Sequence, residues 1–323
     1  MVNISVEHSL HVKVKGKNMK IVFMGTPHYA TKILEALCND TEMEVVLLVT
    51  QQDKPVGRKQ VLTPPDTKAW VIEQALHVEI YQPKTLRSLE AYEKVASYHP
   101  DFIVVAAYGQ ILPKEILSIA PCINLHASLL PKYRGASPIQ STLLANEHFI
   151  GVTSMLMEEG LDTGAMLGFS YLPTQDDNAE ILFEKLAHIA ANLTLKTLKN
   201  FKEIAPLKQI DANASHCKKI RKENGLVFFS KESAQEIYTK WKAFYPWPGI
   251  FLESGLKLHQ IEIIHQYHSV TVGSIVAIEK NGIVISCKKE CLLIKTLQPL
   301  SKNEMNALDY IRGKRLEIGD LLV

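Results

Sequence analysis

No stretch of the 323-residue chain approaches the eighteen or more consecutive apolar residues that a membrane-crossing helix needs, although 46% of its residues are apolar. It therefore reads as a soluble globular protein, and at this length as two domains. Cysteine is scarce: Cys38, Cys122, Cys217, Cys287 and Cys291 are an odd, scattered set, which points to a reducing compartment rather than a disulfide framework. Cys287 and Cys291 lack a second pair at metal-ligand spacing, so they read as packing thiols and no metal is expected. The first strand-to-helix turn, MGTPHYA, has only Gly25 where a dinucleotide site wants three glycines, and no P-loop lysine motif occurs. Hydride transfer and nucleotide hydrolysis lose their main support. Residues 1–18 hold no apolar run of secretory length and no small-residue cleavage site, and read as a disordered leader or an upstream start. Neither an internal repeat nor a low-complexity tract occurs.

What is present is unevenly charged. The chain carries a net +2, yet residues 206–323 hold 17 Lys+Arg against 12 Asp+Glu while the remainder is net acidic. A basic C-terminal third hints at a polyanionic partner.

Continuous apolar runs at 20–24, 44–50, 101–109 and 122–127 read as strands covered on both faces, as in parallel sheets. Between them lie helical stretches near 66–76, 86–98 and 113–119, and Ala30, Ile33, Leu34 and Leu37 recur at helical spacing. The pattern predicts an α/β fold with a doubly wound, mostly parallel Rossmann-like sheet over residues 19–205, closed by a helix near 177–201. Residues 206–223 are polar, basic and aperiodic, and read as a linker. From 224 to 323 a helix with Ile237, Trp241 and Phe244 on one face leads into short alternating segments, with Asn281-Gly282 as a hairpin turn. A small C-terminal antiparallel β-barrel is the economical reading.

Asn124 and His126 lie two apart in a strand and so share one face, at the carboxyl end where open α/β sheets collect ligands. Alone, the pair reads more readily as a satisfied polar cap. Asp162, in the Gly-flanked stretch MEEGLDTGAM, could be a turn aspartate holding nearby N–H groups, and Glu158 and Glu159 read as solvated rim residues. The loop SLLPKYRGASPIQ (128–140) is shaped by its prolines and offers Lys132 and Arg134 at its rim, to phosphate or to solvent.

Taken in order, Asn124-x-His126, SLLPKYRGASPIQ and GVTSMLMEEGLDTGAML closely resemble the hallmark segments of the folate-dependent formyltransferases, which transfer a formyl group from 10-formyltetrahydrofolate to an amine. Within that family the likeness is to members acting on initiator Met-tRNA. TQQDKPVGRKQVLTPPDTK (50–68) resembles their inserted loop, which reaches the acceptor arm of tRNA. AAYGQILP (106–113) resembles the folate-pocket strand end, and AQEIYTKWKAFYPWPG resembles the opening of the C-terminal oligonucleotide-fold domain. The resemblance covers about residues 19–323. It departs at Gln52, where Pro is common, and at Lys54, where Arg is frequent.

The resemblance implies Asn124, His126 and Asp162 as catalytic residues. Asn124 would donate to the developing oxyanion, and His126 would stabilise that charge and help protonate the leaving nitrogen. Asp162 would orient His126, or accept the amine's proton through a water. It places folate along Gln110, Ile111 and Leu112 and along Ser128, Leu129, Leu130 and Pro131. For tRNA it singles out Arg58, with Lys54, Lys59, Lys218, Lys219, Arg221 and Lys222 as phosphate contacts that position rather than specify. A formyltransferase for a sugar-nucleotide amine or for glycinamide ribonucleotide is the nearest rival, and a non-catalytic binding protein on the same fold is a more distant one. A cytoplasmic monomer is expected, with no membrane partner.

Overall fold

The protein is described here from a computed structural model, which covers residues 18–57, 59–265 and 271–322. The expected leader therefore lies, but for Asn18, outside the described residues. The chain forms two compact units, one running to Ile123 and one from Asn124 onward.

In the first unit, strand β1 (Met19–Gly25) leads through helix α1 (His28–Asn39) to β2 (Met43–Val49). A short hairpin, β3 (Lys54–Val56) with β4 (Val61–Thr63), then precedes α2 (Asp66–Glu73), β5 (Glu79–Tyr81), α3 (Leu89–Ala96), β6 (Phe102–Ala106) and α4 (Lys114–Leu117). Strand β1 pairs in parallel with β2 and with β6, and β2 with β5. Every residue of β6 is buried, as its unbroken apolar run requires of a strand covered on both sides. Helix α1 buries Ala30, Ile33, Leu34 and Leu37 completely, the stripe expected from their spacing. A Cβ on Gly25 would meet Ala30 Cβ at 2.6 Å and Ala106 O at 3.0 Å. The lone glycine of this turn thus lets helix and strands close on each other. The strand expected to run to 109 stops at Ala106, because Ala107 and Gly109 adopt φ values of 45° and 83° that no ladder accommodates.

The division between the units falls within β7 (Cys122–His126). There follow β8 (Arg134–Gly135), α5 (Pro138–Leu144), β9 (Phe149–Leu156), β10 (Met166–Pro173) and α6 (Ala179–Lys199). One seven-stranded sheet has the order β10-β9-β7-β6-β1-β2-β5. Strand β10 runs antiparallel to β9, and its half-exposed, alternating burial suits an edge strand. Asn178 caps α6 by accepting the Ile181 N–H at 3.0 Å.

Strand β11 (His216–Cys217) pairs in parallel with β8. Helix α7 (Ala234–Phe244) starts with a reciprocal capping box between Ser233 and Glu236. It buries Ile237 and Phe244, with Trp241 half-buried beside them. Then come β12 (Ile250–Phe251), β13 (Lys257–Ile264), β14 (Ile275–Glu279), β15 (Gly282–Ser286), β16 (Cys291–Gln298), β17 (Met305–Asn306) and α8 (Ala307–Lys314). Where a small antiparallel barrel is expected, these strands form an antiparallel sheet in the order β12-β13-β16-β15-β14 with β17 on β16. Its turn falls one residue earlier than expected: Glu279 pairs with Gly282, leaving Lys280 and Asn281 as the loop. Gly282 is instead a point of close approach, where a Cβ would lie 2.4 Å from Ile294 O.

Candidate active site

Alternation along β7 turns Ile123 and Leu125 to one face, both fully enclosed, and Asn124 and His126 to the other. Asp162 joins them from the β9–β10 connection, where it adopts φ 55°, a left-handed conformation that Asp tolerates better than most residues. Asn124 Nδ2 donates to Asp162 Oδ1 at 3.3 Å, and His126 Nδ1 lies 3.6 Å from Oδ2. The Gly135 N–H of β8 donates to the same Oδ2 at 2.8 Å. The carboxylate is nearly enclosed, as is the imidazole, with side-chain exposures of 11% and 7%.

His126 has its tautomer set by a neighbour. Its Nε2 lies 2.9 Å from the Tyr133 carbonyl oxygen, which can only accept, so Nε2 carries hydrogen. Nδ1, facing Asp162, is then the ring nitrogen that can gain or lose a proton. Asn124 is likewise oriented, since a carboxylate accepts and the amide must turn its NH2 toward it. One amide hydrogen is committed to Asp162, and the second remains for another acceptor.

The loop after β7 is held by its own bonds. Ser128 Oγ donates to Lys132 O at 2.6 Å, and Thr153 of β9 donates to Ser128 O while accepting the Leu130 N–H. Tyr133 has φ 60°, and its N–H donates to Ser215 Oγ at 2.9 Å. The expectation of two rim cations holds only for Lys132, which is exposed and paired with Glu147 at 2.7 Å. Arg134 is corrected: it is 4% exposed, with Nε on Gln209 Oε1 at 3.0 Å and Nη2 on Asp211 Oδ1 at 2.8 Å. Strand pairing with β11 turns it inward, so it offers no cation to solvent. Glu158 and Glu159 are exposed, as a rim requires.

Residues 206–223, read as a polar, aperiodic linker, bond to this loop through Gln209, Asp211, Ser215 and Cys217. Gln209 is buried and donates from Nε2 to both Asp162 O at 2.9 Å and Gly164 O at 2.8 Å. Cys217 Sγ donates to Tyr133 O at 3.3 Å, the carbonyl that His126 also uses, and accepts the Ser137 N–H. Burial raises the Cys217 thiol pKa, helped by the charge of Asp162. Gly135 has φ 122°, and a Cβ there would lie 2.3 Å from Cys217 O, so only glycine fits between the two strands. Nothing local in the sequence marks Gln209 or Cys217, whose partners lie 45 to 84 residues away.

Of the other expected site residues, Gln110 donates to Pro83 O at 3.4 Å, Ile111 is exposed and Leu112 is buried, all in the first unit. Ser128 and Leu130 are buried, with Leu129 and Pro131 half-buried. Lys54 sits on β3 with Nζ on the Gln51 amide, and Lys59 is exposed at the hairpin turn. Arg58 lies outside the described residues. Lys218, Lys219, Arg221 and Lys222 are all exposed just beyond β11.

The formyl transferase family profile matches residues 19–198, and the profile for the formyl transferase C-terminal domain matches residues 219–315. The methionyl-tRNA formyltransferase of a Nitratiruptor species is 56% identical over 303 residues, covering 94% of this chain and 99% of that protein. That of Campylobacter lari is 53% identical over 302 residues, with the same coverage. Among solved structures, HypX from Aquifex aeolicus in complex with tetrahydrofolic acid superposes with a TM-score of 0.62 at 14% identity. It matches 91% of this chain, which spans 47% of HypX. Alike in fold to such a structure, matched by both family profiles and more than half identical to these relatives, the chain belongs to the formyl transferases.

Proposed function

We propose that this chain transfers the formyl group of 10-formyltetrahydrofolate to the α-amino group of methionine on initiator Met-tRNA, with Asn124, His126 and Asp162 as the catalytic residues. The observation that carries the site assignment is the convergence of the Asn124 amide and the His126 Nδ1 on the two oxygens of Asp162.

Free α-amines titrate at roughly 7.7–8.0, and an ester neighbour lowers that further, so a neutral nucleophile is present near pH 7 without a strong base. The amine nitrogen attacks the formyl carbon, and the carbonyl electrons move to oxygen. The uncommitted Asn124 hydrogen donates to that oxyanion, an interaction typically worth about 3 kcal/mol. The nitrogen must then lose a proton, which passes to His126 Nδ1. His126 Nε2 is tied to Tyr133 O, so the ring stays in place while Nδ1 exchanges the proton under the field of Asp162. Collapse of the intermediate expels folate N10 with its bonding electrons, and that nitrogen takes up the proton.

Folate is assigned to Gln110–Leu112 and Ser128–Pro131, a mix of apolar side chains and backbone polar groups suited to a pteridine. Ile111, 69% exposed, offers apolar surface to a ligand, whereas Leu112 and Ser128 are enclosed. The tRNA is assigned to Arg58, Lys54 and Lys59 of the hairpin and to Lys218, Lys219, Arg221 and Lys222. Residues 19–205 are taken as the catalytic domain and 224–323 as the tRNA-binding domain of a cytoplasmic monomer. Light scattering on the purified chain checks its state of assembly.

The deciding experiment offers the purified protein 10-formyltetrahydrofolate with Met-tRNA or with an amino-sugar nucleotide. Formylation of Met-tRNA is expected. Formylation of the sugar nucleotide alone would overturn the substrate assignment.

A further inference from the structure

We propose that Gln209 is a positioning residue for Asp162, and that with Arg134 it forms a buried relay fixing the carboxylate against Asn124 and His126. The proposal rests on the site assignment above and adds a residue lying between the two stretches that the family profiles match, 19–198 and 219–315.

Asp162 occupies a turn whose backbone must be held from outside. Its φ of 55° lies in the left-handed region, which Asp enters more readily than most residues but which surrounding bonds still help to hold. Gln209 supplies that restraint with both amide hydrogens, one on the carbonyl of Asp162 itself and one on the carbonyl of Gly164 two residues on. The two bonds brace the turn on either side of Thr163. Gly164 runs close against β9, where an added Cβ would lie 1.7 Å from Leu156 O. The remaining polar atom of Gln209, Oε1, accepts from Arg134 Nε, and the guanidinium reaches on to Asp211. Every polar atom of this 5% exposed amide is therefore used, and the Arg134 bond fixes which end of the amide faces Asp162.

Arg134 also places the other support. Gly135, next in β8, donates its N–H to Asp162 Oδ2. Side chain and backbone of one dipeptide thus hold Asp162 from two directions, through Gln209 and directly. Displacing reacting groups by about 1 Å can cost roughly a hundredfold in rate, so loss of the Gln209 bonds reaches catalysis without touching either substrate.

The test is a double-mutant cycle on the full chain. Gln209→Met keeps the length of the side chain and removes both donors, while Asp162→Asn removes the carboxylate. Q209M is expected to lower kcat by about tenfold to a hundredfold with KM for Met-tRNA and for 10-formyltetrahydrofolate within threefold of wild type. In the D162N background it is expected to have no further effect, because a residue acting through Asp162 has nothing left to position. A Q209M effect that multiplies fully with D162N, or a wild-type kcat, overturns the proposal. Should Q209M not fold, Gln209→Asn retains an amide one methylene shorter and enters the same cycle. If D162N alone keeps wild-type kcat, the assignment of the site fails instead.

Discussion

Asn124, His126 and Asp162 have unequal jobs, although each touches another. Asn124 holds Asp162 with one amide hydrogen and is assigned the oxyanion with the other. Removing it therefore costs both a donor and part of the carboxylate's restraint. Asn124→Ala and Asp162→Ala are each expected to lower kcat by at least about a hundredfold, the scale of a missing oxyanion donor, with little change in folate affinity. Single-turnover kinetics with Met-tRNA measures this, and a loss under tenfold in either would remove that residue from the chemistry. Gly135 is constrained by backbone rather than by chemistry. Gly135→Ala combines a φ of 122° with a Cβ placed 2.3 Å from Cys217 O, so it is expected to destabilise the fold by about 2 kcal/mol or more, read as a lowered melting temperature.

At the scale of elements, the loop from Ser128 to Gly135 is clamped from outside as well as from the site. Glu147 accepts from Lys132 Nζ and from Tyr133 Oη, which together hold its carboxyl below the usual glutamate range despite some desolvation. A depressed folded-state pKa stabilises above the unfolded value of about 4.3 and loses that contribution as pH falls through the folded one. The melting-temperature gap between wild type and Glu147→Gln should thus be present at pH 7 and shrink below about pH 4; a gap that grows on acidification would contradict the arrangement. Which elements could be foreseen follows from range. Strands such as β6 and the α1 stripe carry their burial in their own residue pattern, and Asn124 and His126 share a face by strand alternation alone. The inward turn of Arg134 was hidden, since only pairing with β11, some 80 residues on, gives the guanidinium Gln209 and Asp211 as partners. The composition of 206–223 is that of a loop because its work is done by single side chains, which leave no periodicity.

Over the whole molecule, charge is arranged by region, with the basic excess beyond residue 206 and Lys218, Lys219 and Arg221 exposed at the exit of β11. If these cations neutralise tRNA phosphates, the double variant Lys218→Ala, Lys219→Ala should raise KM for Met-tRNA about tenfold and leave folate use unchanged. It should also flatten the dependence of log KM on log salt by roughly 0.7–0.9 for each phosphate that is no longer neutralised. An unchanged salt slope would return both lysines to the solvent. These lysines follow directly on Cys217, whose thiol shares the Tyr133 carbonyl with His126. That single oxygen has a consequence for modularity. By composition the joint between the two parts falls at Pro206, and a recombined protein spliced there would take Gln209, Ser215 and Cys217 from the donor, letting a foreign segment grip the host's histidine and aspartate. The seam at which parts can be traded between relatives without disturbing the chemistry lies after Cys217, well inside what reads as linker.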